Sequence, residues 1–244
     1  MTSNYPRDSA QAVALTGDEA WWEKTTSKTV EVGRLVFPAV VPIIDVAEPR
    51  VLEAKRLDET KHHNAEFVLR EVGSMSAGDP LPVAALGLNP GECVAVFRAK
   101  RRRPAVVLAT SKEVPRQDAP GVSWQRHPMA LVAPYFGVDT GGTRGGWPAA
   151  FVQRIRHFQY AQFQYDRLPI GGAAESICRL DQLQPMGLHY KSYELTEWKL
   201  SSTALELLQE QLDWLRSGKL REESALWTVR NMVHEEAAAL AGLA

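Results

Sequence analysis

With 244 residues, 45% of them hydrophobic, the chain is long enough for one large domain or for a domain with a substantial extension, and it has enough apolar content to fill a core. Two cysteines exclude a disulfide scaffold, and no apolar run approaches the roughly 20 residues that a membrane-spanning helix requires. A net charge of −1 excludes a uniformly basic nucleic-acid binder, yet residues 90–170 hold 12 Lys+Arg against 5 Asp+Glu, while residues 1–89 hold 9 against 13 and residues 171–244 hold 7 against 11. The middle third is therefore a basic block between two acidic ones.

In chain order, residues 1–29 are polar, with Trp21-Trp22 as their large apolar feature, and the first dozen are expected to be loose. The opening Met1-Thr2-Ser3-Asn4-Tyr5-Pro6-Arg7-Asp8 lacks the charged-then-apolar pattern of an exported chain, so the cytoplasm is the expected compartment. Val30 to Val46 is rich in Val and Ile but interrupted by Pro38 and Pro42, which predicts an edge strand or an extended arm and not a central strand. Val51 to Leu57 and Ala65 to Val72 flank Lys61-His62-His63-Asn64; a hairpin or one broken helix fits this pattern, and the hairpin is preferred. Gly, Ser, Asp and Pro between 74 and 90 signal a linker or a long loop. The expected organisation is an acidic N-terminal extension over 1–88 and a second domain over 89–244.

That second domain opens with five basic residues between two short apolar runs. Val94 and Val96 precede Arg98, Lys100, Arg101, Arg102 and Arg103, and Val106, Val107 and Leu108 follow, with Asn89-Pro90-Gly91 as turn punctuation ahead of the first run. The pattern predicts a basic hairpin, with Pro104 at the entry of its second strand. Guanidinium and ammonium groups fixed at one end of a sheet suit phosphate, so a polyanion is the expected partner. Arg126, Arg144, Arg154, Arg156 and Arg167 extend the basic character. They are interleaved with Trp124, Trp147, Phe158, Tyr160, Phe163 and Tyr165, a mixture suited to phosphate contact and base stacking on single strands. The alternation in Phe158 to Tyr165 turns about half of these rings inward.

After Leu183 the pattern becomes helical. Ser201-Ser202-Thr203 caps a helix with Leu205, Leu208, Leu212 and Leu215 on one stripe, and Gly218 ends it. A second helix is expected from about Glu222 to Leu240, its stripe formed by Leu226, Val229, Val233, Ala237 and Leu240.

Four pieces in order carry a family resemblance: Gly91-Glu92-Cys93-Val94 followed by Arg103-Pro104-Ala105-Val106-Val107-Leu108; Ala130-Leu131-Val132-Ala133-Pro134; Gly146-Trp147-Pro148 before Phe151-Val152; and Glu175-Ser176-Ile177-Cys178-Arg179-Leu180-Asp181-Gln182-Leu183. Over roughly residues 89–217 the chain resembles the MazF/PemK toxins of type II toxin-antitoxin systems. The resemblance implies a mainly β fold with C-terminal helices (α+β), an SH3-like small barrel of the MazF/PemK/CcdB type. It further implies a homodimer, inhibition by an antitoxin segment lying in the basic groove, no cofactor, and cleavage of single-stranded RNA without a metal. In that family the arginine of the Arg-Pro motif stabilises the pentavalent phosphorane, a task its forked, permanently charged donors suit. Arg103 matches it. The family's companion hydroxyl follows the third strand closely, but here Pro134 is followed by Tyr135-Phe136-Gly137-Val138-Asp139. Thr143 is the nearest candidate to the glycine-aromatic-proline landmark, and Thr140 is the other. Arg98, Lys100, Arg101, Arg102, Arg144 and Trp147 are the expected RNA contacts. A non-catalytic RNA- or protein-binding module on the same barrel is the alternative function.

Lesser constellations read as structural. The two cysteines fall in predicted strands as small core residues, and His62-His63 suits a polar turn. Gly141 to Gly146 lacks the lysine and spacing of a phosphate-binding P-loop, and reads as a loop beside the site. Asp181 is a candidate acid or base, or an ion-pair partner for Arg179 or Arg103.

Overall fold

The computed structural model describes residues 5–15, 18–43, 50–56, 65–71, 93–118, 126–138, 146–171 and 174–242; of residues 53–56, 65, 66 and 70 it describes the backbone alone. The chain forms two compact units, one combining Met1–Val41 with Arg101–Ala244 and the other made of Pro42–Lys100.

In chain order the elements are α1 (Ala10–Ala14), β1 (Trp22–Lys24), β2 (Arg34–Pro38), β3 (Val40–Ile43), β4 (Arg50–Arg56), β5 (Ala65–Glu71), β6 (Val94–Val96) and β7 (Arg98–Arg101). There follow β8 (Ala105–Thr110), β9 (Met129–Gly137), α2 (Ala149–Arg156), β10 (Phe163–Arg167), β11 (Glu175–Arg179), a 3-10 turn over Leu180–Gln182, β12 (Gln184–Gly187), β13 (Tyr193–Leu200), α3 (Ser202–Ser217) and α4 (Ala225–Gly242). The fold is α+β. An antiparallel sheet runs β1-β13-β2-β8-β9-β11-β10, and β12 also pairs with β9. Among the described residues this ladder is open from β1 to β10, where the resemblance led us to expect a closed barrel.

Strand alternation divides the core. Leu35, Val106, Ala133 and Tyr135 turn toward a layer that includes Trp21, Trp22 and the helical residues Ala10, Leu207, Leu208, Leu226 and Val233. Val36, Ala105, Val107, Ala130 and Val132 form a second cluster with Met186. A third packs Val152 and Ile155 of α2 on Phe163, Tyr165 and Ile177. Each large apolar side chain so buried contributes about 1.5–3 kcal/mol.

The two C-terminal helices form where the sequence places them. Ser201 Oγ accepts a hydrogen bond from the Ala204 N–H at 3.3 Å, and Gly218, at φ 73°, ends α3 with its N–H donated to the Trp214 carbonyl. A left-handed residue at that position favours glycine. Leu226, Val229 and Val233 are the buried stripe of α4. No helix among the described residues is long and apolar enough to cross a membrane.

Several expectations are corrected. The two apolar runs around the basic cluster do not pair with each other: β6 pairs with β4, β7 with β3, and β8 with β2 and β9. Each run finds a longer-range partner, which local spacing cannot reveal. The stretch Val30 to Val46 supplies β2, an interior strand between β13 and β8, because Leu35 and Val36 make the pairs to β8 while Pro38 stands last in the strand, where its missing N–H is tolerated. Phe151-Val152, where the resemblance implies the entry to the family's next strand, is helical. Pro148 stands at the N-cap of α2, where its lack of an N–H does no harm, and Val152 and Ile155 recur at helical spacing on the buried face.

Nor are residues 5–15 loose. The Tyr5 hydroxyl donates to the Arg167 carbonyl at 3.0 Å, Gln11 Nε2 donates to the Tyr165 carbonyl at 2.7 Å, and Asp8 bonds both Arg156 and His157. Residues up to Val41 thus belong with the large sheet, and the smaller unit begins at Pro42, a grouping different from the expected division at 88/89. In that smaller unit β4 and β5 form the expected hairpin, in register from Arg50↔Glu71 to Arg56↔Ala65, and β6 adds to the other edge of β4. The connection bearing His62 and His63, and the 74–90 linker, lie outside the described residues.

Candidate functional site

Consecutive residues of β9 face opposite ways, and this separates two very different charge sites. The Tyr135 side chain turns inward and is buried, with its hydroxyl donated to Asp166 Oδ2 at 3.1 Å. Asp166 is fully buried and also accepts from Trp22 Nε1 at 3.1 Å and from the Tyr5 hydroxyl at 3.4 Å. Burial pushes its pKa up to about 6, against the opposing pull of the bonds from Trp22, Tyr135 and Tyr5. Cys178, across the ladder from Tyr135, is also buried, and burial raises its thiol well above the usual range. This is a sealed polar knot in the core. It joins the N-terminal segment, β1, β9 and β10.

Phe136 belongs to the other face. The Arg103 guanidinium carbon lies 4.1 Å from the centroid of its ring, and that of Arg179 lies 5.8 Å from the same centroid. The two guanidinium carbons are therefore less than about 10 Å apart. Arg103 stands immediately before Pro104 and β8, and its Nη1 donates to the Tyr135 carbonyl at 2.7 Å. The Tyr135 N–H in turn donates to the Pro104 carbonyl. The side chain is half-buried, its Nε has no hydrogen-bond partner among the described residues, and burial lowers its pKa from the ordinary guanidinium value. It remains a cation at neutral pH.

Arg179 closes β11, so its side chain emerges beside the 3-10 turn that carries Asp181. The two form a forked pair, Nε to Oδ1 and Nη2 to Oδ2, each at 2.6 Å. Arg179 also lies 5.1 Å from the Phe163 ring centroid and 5.8 Å from that of Trp147. Trp147 stacks nearly parallel on Phe151, with centroids 5.3 Å apart, and meets Phe163 edge-on. One aromatic shelf thus supports Arg179 from several sides and Arg103 from one. Aromatic support of this kind contributes about 0.5–2 kcal/mol per cation, more where water is excluded.

The charge balance separates Arg103 from Arg179, which shares the Phe136 ring. Arg102 pairs with Glu194, Arg179 with Asp181, Arg167 with Glu175 and Arg156 with Asp8. Arg103 has no carboxylate partner among the described residues. At Glu175, burial alone would raise the carboxyl, but the bonds from Arg167 and Tyr165 outweigh it and hold the pKa down.

The expected site residues are thus divided. Arg103 and Trp147 both belong to the Phe136 face, linked through Arg179. Arg102, left-handed at φ 51°, is exposed and turned to Glu194. Arg98, Lys100 and Arg101 form the wholly exposed strand β7; Arg98 and Lys100 belong to the smaller unit. Thr143, Thr140 and Arg144 lie outside the described residues, in the stretch that joins Val138 to Gly146. Phe136 and Arg179 were not among the expected site residues. Their signal in the sequence is faint: an aromatic one place beyond an inward tyrosine, and an arginine two places before an aspartate. No group of three or more His, Cys, Asp or Glu side chains that could hold a metal ion occurs among the described residues. Compared with protein-family models, with curated proteins and with solved structures, the chain matches none.

Proposed function

We propose that the larger unit binds single-stranded RNA on the Phe136 face and cleaves it without a metal, as an endoribonuclease resembling the MazF/PemK toxins. The observation that carries this reading is the Arg103 guanidinium, laid on an aromatic ring, partly stripped of water and without a carboxylate partner among the described residues, whereas Arg179 on the same ring and the adjacent Arg102 are paired. A phosphodiester supplies the missing charge. Support also comes from the order in which β8, β9, β11 and the helix α3 follow Arg103, which is the order of the family's pieces; the open sheet is read as a widened form of its small barrel. The helix that begins at Ala149, just after Trp147-Pro148, and the divided basic run depart from that pattern.

In this reading Arg103 holds the scissile phosphate and stabilises the two negative charges that gather on the phosphorane oxygens. Arg179 is the second cation of the same trough. Asp181, held in a forked bond to Arg179, is the carboxylate assigned to accept the proton of the 2'-hydroxyl, whose oxygen attacks phosphorus as the 5'-oxygen leaves. The leaving oxygen takes up a proton, and the products are a cyclic 2',3'-phosphate and a 5'-hydroxyl end. Trp147 and Phe151 offer a stacking surface for a neighbouring base.

A second reading, an RNA-binding module without catalysis, is favoured by one observation: among the described residues no hydroxyl bonds to Arg103, and one of its donors is already committed to the Tyr135 carbonyl. Single-turnover incubation of mixed-sequence RNA in EDTA separates the two. Cyclic phosphate ends that form in the wild type and vanish in Arg103→Ala support cleavage. Salt-sensitive binding without any cut product leaves the module. RNA that neither binds nor is cut overturns both.

A further inference from the structure

The smaller unit carries a surface that the RNA reading does not use. Its three strands lie in the order β5-β4-β6, so β5 is an edge strand, and among the described residues no strand pairs with its outer side. Phe67, Val68 and Leu69 on it are 55%, 41% and 53% exposed. Three consecutive exposed apolar residues on an edge strand are unusual, because unpaired N–H and C=O groups beside apolar side chains invite another strand to add. Cross-strand partners share a face, which puts Leu69, Leu52 and Val94 in one row, with Phe67 beside them opposite Ala54. One face of this small sheet is thus largely apolar, and Leu52 and Val94 are only half-buried.

We propose that β5 is a self-association edge and that its occupant is β5 of a second copy of this chain, running antiparallel about a two-fold axis at Val68. The argument is the strand's own complementarity. In a continuous sheet, residues set opposite each other must share a face, so an antiparallel β5 pair can be centred on Phe67, Val68 or Leu69 but not between residues. Centring on Val68 sets Glu66 opposite Arg70 twice, once on each side of the axis, and sets Phe67 opposite Leu69 twice on the apolar face. Centring on Phe67 sets Glu66 against Val68, and centring on Leu69 sets Arg70 against Val68, so both lose the opposed charges. The strand Glu66-Phe67-Val68-Leu69-Arg70 therefore matches itself in charge and in apolarity in a single register. The result is a six-stranded sheet with a doubled apolar face. This surface lies within Pro42–Lys100 and is independent of the RNA proposal.

The test is light scattering of the full chain across a concentration series, with two charge reversals and their mixture. The wild type is expected to dimerise. Glu66→Arg and Arg70→Glu each set like charges opposite one another twice, and each is expected to weaken the dimer by about tenfold or more. Mixing the two variants restores opposite charges at both positions, so a heterodimer of near wild-type affinity is expected, as is a homodimer of the double swap. Circular dichroism of each variant shows whether it is folded, and the mixture itself rescues only folded chains. A wild type that stays monomeric at its highest soluble concentration overturns the proposal. So does a dimer indifferent to both reversals, or a mixture that fails to associate while both variants are folded.

Discussion

Asp166 and Arg103 are two charges held by the same strand, and they are treated in opposite ways. Asp166 is wholly buried and surrounded by neutral donors from Tyr5, Trp22 and Tyr135, so its lone pairs are met from within the fold. Arg103 is half-buried and keeps one nitrogen on a carbonyl, another without a partner and no carboxylate beside it among the described residues. Tyr135 serves both, its hydroxyl to the first and its carbonyl to the second. A carboxyl whose hydrogen bonds are made inside the fold serves the architecture, whereas a partly dehydrated cation left uncompensated favours an anion arriving from outside.

The sharpest way to break this contrast is Arg103→Ala. RNA cleavage is expected to fall by about 10²- to 10³-fold, the usual cost of losing one charge-stabilising donor group, with little change in melting temperature. Arg103→Lys should recover little, since an ammonium lacks the fork. A large loss of stability with unchanged cleavage would make Arg103 structural, like Asp166.

Asp166 is examined through pH. Its folded pKa is raised to about 6, so between pH 4 and 6 the folded state binds the proton more tightly than the unfolded state does. The contribution of this carboxyl to stability is accordingly fully present below about pH 4 and lost as pH rises through 6. Asp166→Asn removes that dependence. The stability of wild type relative to Asp166→Asn, from denaturant melts, is expected to fall by about 3 kcal/mol across the window and to level off above it. A constant difference between pH 4 and 7 would show that the carboxyl is not held as the geometry implies.

Asp181→Asn distinguishes a proton acceptor from a mere counter-ion of Arg179. Cleavage is expected to fall by about 10²-fold. RNA binding should strengthen, and its salt dependence should steepen by about one phosphate contact. Stronger binding with undiminished cleavage would leave Asp181 as a neutralising group only. Phe136→Leu has the smallest effect: it removes the ring under both guanidinium groups, and RNA affinity measured by titration should drop by about fivefold, in keeping with a loss near 1 kcal/mol. No change would show that the shelf does not order the cations.

Local pattern was sufficient where a few neighbouring residues decide the outcome. The cap at Ser201, the leucine stripe of α3, the stop at Gly218 and the β4–β5 hairpin were all legible, because helix capping, periodicity and short-range pairing are settled within one or two turns of chain. Arg103 became a candidate by its match to the Arg-Pro motif of the resemblance and not by local pattern. Local pattern failed where a partner came from far away. Val94–Val96 and Ala105–Thr110 looked like two arms of one hairpin, but each had a better partner elsewhere. Val30 to Val46 looked like an arm because of its prolines, although Leu35 and Val36 are enough to make an interior strand. Tyr5 to Ala14 looked loose because the groups that fix it, Asp166, Arg167 and Tyr165, lie some 160 residues on.

Composition and spacing alone thus determined that the chain has a basic middle third, capped C-terminal helices and an arginine presented at a strand entry, while the α+β class was what the resemblance implied. Tertiary structure alone decided that Arg103 has no carboxylate beside it among the described residues while Arg179 does, which aspartate is buried in the core, and that Phe136 brings Arg103 and Arg179 to one ring. Charge compensation and burial depend on what surrounds a side chain in space. In an antiparallel sheet fed by distant segments, those surroundings come from parts of the chain that no local window contains.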